Sequence, residues 1–364
     1  STCLFRQSCF LRKRSRQQRP AKRCGSGSRA RRSPYCNSSK RRPMSRAGHK
    51  PRYGLRDSPL FRLRTRKNLA QLLRVSLSTL NALTKNPELY KRCWKHKKLK
   101  NHESGAWLNS PPSVEQTDDY RPIDKPNQTL KQVQSRISNL LSRVTPPDFL
   151  FNPVKGRSYV DNAARHKGAV AVRGLDVADY FPNCTANKVA HFFSCDLECS
   201  PDVTAMFVRL TTWKESLPQG SPCSPILAYF VHHHMWAEIN SLVESMDCKF
   251  SLYADDLTIS GSIVREERIW HIKQIVHRHG LQLNPKKEAS VIKKPADITG
   301  VIVSGERTLL PNRQRKMLLE TKKRHQETKS AEEREALSNQ IAGRMAQQRQ
   351  VEKPDTDTPS IKNL

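Results

Sequence analysis

The stretch Phe250-Ser-Leu-Tyr-Ala-Asp-Asp-Leu-Thr-Ile-Ser260 decides how the rest of the chain is read. Two short apolar runs, Phe250 to Tyr253 and Leu257 to Ile259, flank adjacent carboxylates at Asp255 and Asp256. Aromatic and branched residues around a short polar tip predict a β-hairpin. Two carboxylates ~4 Å apart repel by roughly 4 kcal/mol at an effective dielectric of about 20. In a solvated acidic turn, the common reading of an isolated Asp-Asp, water screens that repulsion. In a functional turn a divalent cation offsets it. The remainder of the chain selects the second reading.

The 364 residues carry 65 Lys and Arg against 33 Asp and Glu, a net charge of +32. Such an excess points to nucleic acid or another acidic surface and says nothing about fold. The length accommodates one large domain or two to three ordinary ones. No apolar run of about eighteen residues occurs, so no membrane-spanning helix is expected. The start shows no apolar signal-peptide core. Ten cysteines are scattered along the chain. Cys195 and Cys199 stand four apart with His191 nearby, but no second pair has zinc-ligand spacing. Reduced, packed thiols are therefore expected.

Residues 1–56 hold 18 Lys and Arg, and no acid precedes Asp57. Ser, Gly and Pro interleave the arginines without apolar periodicity. Such a segment cannot bury enough surface to offset its ordering entropy, so a disordered basic N-terminal arm is expected. Three origins stay open: an arm that holds phosphates, an Arg/Ser-rich transit peptide, or translated upstream sequence ahead of a start near Met44.

From Ser58 onward the pattern is ordered. Lys67–Arg74 has helical spacing. Ser76 or Ser78 caps a second helix with Leu77, Leu80 and Leu83 on one face, and the two read as packed core helices. Residues 90–112 mix Tyr90, Trp94 and Trp107 with lysines, as a strand and loop that stack on bases and touch phosphate. Arg121–Asn127 reads as a cationic strand turned by Pro126 into an amphipathic helix, Leu130–Leu141. That arrangement suits a triphosphate or a nucleic-acid backbone. Ser158–His166 is a polar helix-like segment.

Val170–Asp176 is a largely buried strand that ends in an acid where it leaves the core, which makes Asp176 a site candidate. Phe181 would lie across the floor of a pocket there. Leu217-Pro-Gln-Gly-Ser-Pro-Cys-Ser-Pro225 is a rigid loop opening an apolar helix from Ile226 through Ile239. Gly220 permits close backbone approach by a ligand, and the helix N-terminus favours phosphate. His232, His233 and His234 point in different directions on a helix and are expected on its surface and edge, not as a chelate.

A helix with Ile269, Trp270, Ile272, Ile275 and Val276 inward ends at Gly280. Leu281–Glu288 is a strand and turn carrying Lys286 and Lys287, and Ile298–Gly305 is another hairpin. Basic helical sequence runs from Asn312, a second helix spans Ala331–Gln347, and a polar tail follows. Three carboxylates on two strand ends, a Gly/Pro loop-helix between them, a cationic strand before and a Lys turn after form the set that two-metal phosphoryl transfer needs.

Tyr253-Ala-Asp-Asp256, Asp176 with Phe181, Gln219-Gly-Ser-Pro-Cys-Ser-Pro225 and Asn284-Pro-Lys-Lys287 resemble the successive catalytic motifs of reverse transcriptases. Asn162-Ala-Ala-Arg-His166 resembles the Asn-Ala-x-x-His signature of the retron enzymes among them. Ile298-Thr-Gly300 resembles their Val-Thr-Gly element, with Ile for Val. The resemblance covers about residues 58–350 and leaves the basic first 56 outside it.

The resemblance implies an α+β, right-hand polymerase fold. N-terminal helices and fingers would occupy 57–170, the palm 171–304 with the loop-helix 217–240, and RNA-binding thumb helices 305–350. A flexible tail would occupy 351–364. It implies Asp176, Asp255 and Asp256 as catalytic ligands of two Mg2+ ions, with Mn2+ as substitute. Phe181 would be the steric gate, Arg121 would hold triphosphate, and Gln219 and Gly220 would meet the nascent pair. Lys286 or Lys287 would act on departing pyrophosphate. Asn162, Ala163, His166, Ile298, Thr299 and Gly300 would be signature positions at the RNA. Implied partners are a cognate noncoding RNA as template and primer, dNTPs, the msDNA product and a separately encoded effector in antiphage defence. The implied setting is bacterial cytoplasm, without a membrane. A group II intron-like or other reverse transcriptase and an inactive RNA-binding scaffold are the competing readings. The Asn162–His166 signature stands against the first, and the three carboxylates with the Lys turn against the second.

Overall fold

The computed structural model describes residues 52–99 and 104–353. Residues 1–51, most of the expected basic arm, lie outside the described residues, as do 100–103 and the tail from 354. The arm's expected boundary is corrected at its end. Tyr53 donates its backbone N–H to Arg143 O (3.1 Å) and its hydroxyl to Leu140 O (2.6 Å). A 3₁₀ turn, Leu55–Asp57, follows. One aromatic in polar sequence is enough to dock the segment on a helix end.

Helices α1 (Arg66–Leu73) and α2 (Leu77–Lys85) start at Thr65 and Ser76, whose side chains accept the N–H of Asn68 and Thr79. Leu69, Leu73, Leu80 and Leu83 are buried, whereas Leu77 is 41% exposed, contrary to the expected face. It stands at the first helical position, ahead of the packed turn. Strands β1 (Tyr90–His96), β2 (Trp107–Leu108) and β3 (Tyr120–Pro126) form an antiparallel sheet in the order β2-β1-β3. Helix α3 (Gln128–Leu141) begins two residues before the expected Leu130 because Asn127 accepts the N–H of Leu130.

Next come β4 (Leu150–Asn152), α4 (Tyr159–Ala164, with a Ser158–Asp161 capping box), β5 (Ala171–Asp176), α5 (Tyr180–Asn183) and α6 (Ala186–His191). A single π turn over Phe192–Asp196 follows α6, then α7 (Pro201–Thr211), α8 (Ser224–Phe230) and α9 (His233–Glu244). The single helix expected through Ile239 is therefore two. The break falls at His232, whose ring is drawn into the core between Ala228 O (3.3 Å from Nδ1) and Lys188 Nζ (3.1 Å from Nε2). His232 is 3% exposed, not on a helix surface.

Strands β6 (Lys249–Tyr253) and β7 (Asp256–Gly261), helix α10 (Glu266–Arg278) and strand β8 (Ala289–Ile292) complete a five-stranded sheet, β4-β6-β7-β5-β8. Only the β4–β6 pair is parallel. Trp270, expected inward on α10, is 56% exposed. One residue on from buried Ile269 is a turn of about 100°, enough to leave the packed face. The strand expected from Leu281 reduces to one bridge, Leu283 to Val177, before a 3₁₀ turn at Pro285–Lys287.

Strands β9 (Ala296–Ile298), β10 (Val301–Ser304) and β11 (Arg307–Leu309) make an antiparallel meander. Strands β9 and β10 build a second core with Ala163, Val172, Leu310 and Val351. The helical hairpin α11 (Asn312–Glu327) and α12 (Ala331–Val351) follows. A boundary at 305 would cut the β10–β11 hairpin; the helices begin only at Asn312. The second helix runs past Gln347 to Val351, whose carbonyl accepts Thr308 Oγ1–H at 2.6 Å.

The main core holds Trp236, Phe192, Phe193, Phe207 and Phe250 fully buried. Phe193 stacks on Phe207 with centroids 4.0 Å apart. Each such ring contributes roughly 1.5–3 kcal/mol by leaving water. No helix among the described residues is long and apolar enough to cross a membrane.

Candidate active site

Strand β5 supplies the first carboxylate. Its apolar residues pair with β7 from Ala171↔Gly261 to Asp176↔Asp256, so two acids 80 positions apart in sequence stand directly opposite each other at the sheet's end. The β6–β7 hairpin turns through Ala254 and Asp255, with Tyr253 paired to Asp256. Ala254 has φ +59°, a left-handed conformation that costs a residue with a Cβ free energy and clusters at functional sites. The Asp255 carbonyl accepts the N–H of Val177 at 3.0 Å, which locks the hairpin tip to the end of β5.

Asp176 is 5% exposed. Burial, then the negative charges of Asp255 and Asp176, push the Asp256 carboxyl up to about 7. Burial also raises Asp255, and the charge of Asp176 adds to it. The site is thus short of positive charge at its centre, which is the condition a divalent cation relieves.

One cation comes from the chain itself. Asn284 N–H donates to Asp176 O (2.8 Å), and the Asn284 side chain accepts the N–H of Lys286 (3.2 Å). The resulting turn brings Lys287 Nζ to 2.7 Å from Asp176 Oδ1. The hydrogen bond to Asp176 holds the Lys287 ammonium above its usual range. Of the two lysines expected here, Lys287 is the one joined to the carboxylates.

Phe181 lies in α5, partly buried against the main core. Its neighbour Tyr180 is buried and donates its hydroxyl to Ala228 O, fastening α5 to α8. Gln219 and Gly220 meet β3. Gln219 O accepts the Asp124 N–H at 2.6 Å. Gly220 has φ +131°, and a Cβ on it would lie 2.6 Å from Asp124 O and 3.1 Å from Ile123 Cγ2. Gly220 thus allows the loop to approach the chain's own strand β3 closely. Arg121 is exposed two positions from Ile123, on the same side of β3 by strand alternation. Lys125 shares that side and sits 4.1 Å from the Trp107 ring centroid, with Lys95 at 5.5 Å.

The expectation that Asn162, Ala163, His166 and Ile298 meet RNA does not hold, because all four are buried. His166 bridges Ser260 Oγ from Nδ1 and Ser251 Oγ from Nε2, each at 2.7 Å. Burial pulls its imidazole down to about 3, so it is neutral. Asn162 Nδ2 donates to Thr299 Oγ1 (3.3 Å), and Thr299 donates on to Tyr159 O (3.2 Å). Thr299 and Gly300 make the β9–β10 turn, both with positive φ. These positions tie α4 to the back of the carboxylate hairpin and to the small meander. Ser251 and Ser260 escaped the sequence reading. Their signal, a hydroxyl in each hairpin strand, is shared by Thr258 of β7.

Residues 109–303 match the sequence model of the family described as reverse transcriptase (RNA-dependent DNA polymerase). The chain belongs to that family. Among curated proteins it is similar to the retron Ec86 reverse transcriptase of Escherichia coli, 30% identical over 191 residues, 51% of this chain and 59% of that one. It is also similar to the retron Se72 reverse transcriptase of Salmonella heidelberg, 29% identical over 173 residues, 46% of each chain. A third is the retron Mx65 reverse transcriptase of Myxococcus xanthus, 30% identical over 208 residues, 50% of this chain and 48% of that one. The chain spans about half the length of the curated relatives it matches. The carboxylates, the Lys287 turn and the Gly220 loop all fall inside the matched reverse transcriptase region.

Proposed function

We propose that the chain is the RNA-directed DNA polymerase of a retron, copying part of a structured noncoding RNA from an internal 2′-OH into branched msDNA. The observation that carries this is Asp176 opposite Asp256, with Lys287 on Asp176, in a chain of the reverse transcriptase family. Asp176, Asp255 and Asp256 would hold two Mg2+ ions, or Mn2+. Their fit rests on the burial and, after it, the neighbouring carboxylate charges that push Asp256 up to about 7. Bound there, divalent ions supply stabilisation of the attacking and leaving oxygens.

The chain's own groups do the rest. Lys287 neutralises or protonates departing pyrophosphate. Phe181 lies under the sugar and excludes a 2′-OH. Arg121 meets the triphosphate, from a β1–β3 sheet that acts as fingers. The Gln219–Gly220 loop couples that sheet to the nascent pair. The β4–β8 sheet is the palm. Helices α11 and α12 are the thumb, where Lys316, Lys322 and Lys323 meet RNA phosphates and read a stem by shape. Antiphage action through a separately encoded effector, in the bacterial cytoplasm, follows from the same reading.

The test is to express the gene with its upstream locus and to treat the extracted nucleic acid with RNase and debranching enzyme. A short, discrete DNA that shifts on a denaturing gel after debranching is expected, and Asp255→Asn should abolish it. Polymerase activity on a generic template without such a band overturns the retron assignment.

A further inference from the structure

A second group of potential ligands shares no residue with the carboxylate site. Asp196 ends the π turn after α6, and His233 and His234 are the first two residues of α9. One ligand atom from each lies within 4.8 Å of the others. His234 Nε2 is 2.9 Å from Asp196 Oδ1, and the two imidazole centroids are 3.9 Å apart. Consecutive helical residues normally diverge. Here His233 is held from behind by Phe230, whose carbonyl takes its Nδ1–H and whose ring lies 6.3 Å away, and His234 turns onto Asp196, so the two rings lie together.

We propose that Asp196, His233 and His234 bind a single zinc-class divalent ion. Ligand atoms bonded at about 2.0–2.1 Å in a tetrahedral zinc site stand about 3.3 Å apart. The three ligand atoms, within 4.8 Å of one another, would each close by about 1.5 Å or less to reach that spacing. His233 Nδ1 donates its proton to Phe230 O at 2.6 Å. That bond fixes the tautomer and leaves the lone pair on Nε2, the outer-shell arrangement that orients metal-binding imidazoles. The Asp196 side chain is 14% exposed and that of His234 68%. The site is thus anchored on one side and open on the other, where water completes the coordination. Two imidazoles and one carboxylate suit zinc and neighbouring borderline ions over Mg2+, which prefers an all-oxygen shell. Such an ion would join the turn after α6 to the start of α9, stapling the helix break. The inference does not depend on the proposed polymerase activity.

The test uses the full, untagged chain, stripped with EDTA and dialysed against zinc chloride in excess Mg2+. Bound zinc is counted by inductively coupled plasma mass spectrometry, and Tm is measured with and without zinc. Wild type and Asp255→Asn should each retain zinc and gain Tm with it. His234→Ala, at an exposed position, and Asp196→Asn should keep the zinc-free Tm but bind at least about tenfold more weakly. Zinc lost to Mg2+ in the wild type, or retained equally by both variants, overturns the site.

Discussion

Lys287 Nζ lies 2.7 Å from Asp176 Oδ1, although the two residues are 111 positions apart. Lys286, one residue earlier, is exposed in the same turn. Lys287→Ala is expected to slow nucleotide incorporation by about 10²-fold, the usual worth of a positioned proton donor. Lys286→Ala should leave it nearly unchanged. Rapid-quench measurement of single-nucleotide addition compares them, and a larger loss in Lys286→Ala would move the role to that residue.

Asp256→Asn should abolish DNA synthesis, by about 10³-fold or more, through loss of an oxygen proposed to hold the metal ions. RNA affinity should persist. Because burial and like charge both disfavour the Asp256 carboxylate, the variant's metal-free Tm should equal or exceed that of wild type. A primer-extension assay beside a melting curve separates lost chemistry from lost fold.

Gly220→Ala would place a Cβ 2.6 Å from Asp124 O at a φ of +131°. Strain of about 1–3 kcal/mol is expected. A lower urea midpoint and weaker primer extension should appear together, because the same contact joins the loop to β3. An unchanged midpoint would mean that the loop and the strand part freely.

His166 and His232 are both pulled down to about 3 by burial. An unfolded histidine takes up a proton near pH 6.5, while these folded ones do not until about pH 3. Their stabilising contribution is therefore complete above pH 6.5 and is lost as pH falls from there toward 3. Each group sets a slope of about 1.4 kcal/mol per pH unit within that window. Asp256, pushed up to about 7, slopes the opposite way over much of that window. In an Asp256→Asn background urea midpoints should therefore fall between pH 7.5 and 5, and adding His166→Asn should make the fall shallower.

Phe181→Ala should raise ribonucleotide incorporation relative to deoxyribonucleotide, since the role proposed for the ring is to lie beneath the sugar. Competing rNTP and dNTP kinetics read this ratio, and no change would remove the gate from Phe181.

Much of this arrangement was legible in order along the chain. Apolar runs around Asp255 and Asp256, an acid ending the buried run at Asp176, and a serine, Ser76 or Ser78, as a helix start are local signals, and local signals survive in sequence. Tyr53 docking on the end of α3, the helix break at His232 and the exposure of Trp270 were not legible. Each depends on what distant chain packs against it.

By itself the sequence determined which acids and lysines could take part, because residue type and strand periodicity place them at strand ends. Only the tertiary structure decided that Asp176 faces Asp256, that Lys287 closes on them, and that His166 and Asn162 lie inside. It also decided that Asp196 meets His233 and His234. Pairing register and burial come from contacts between segments 37 to 137 residues apart, and no local pattern encodes them.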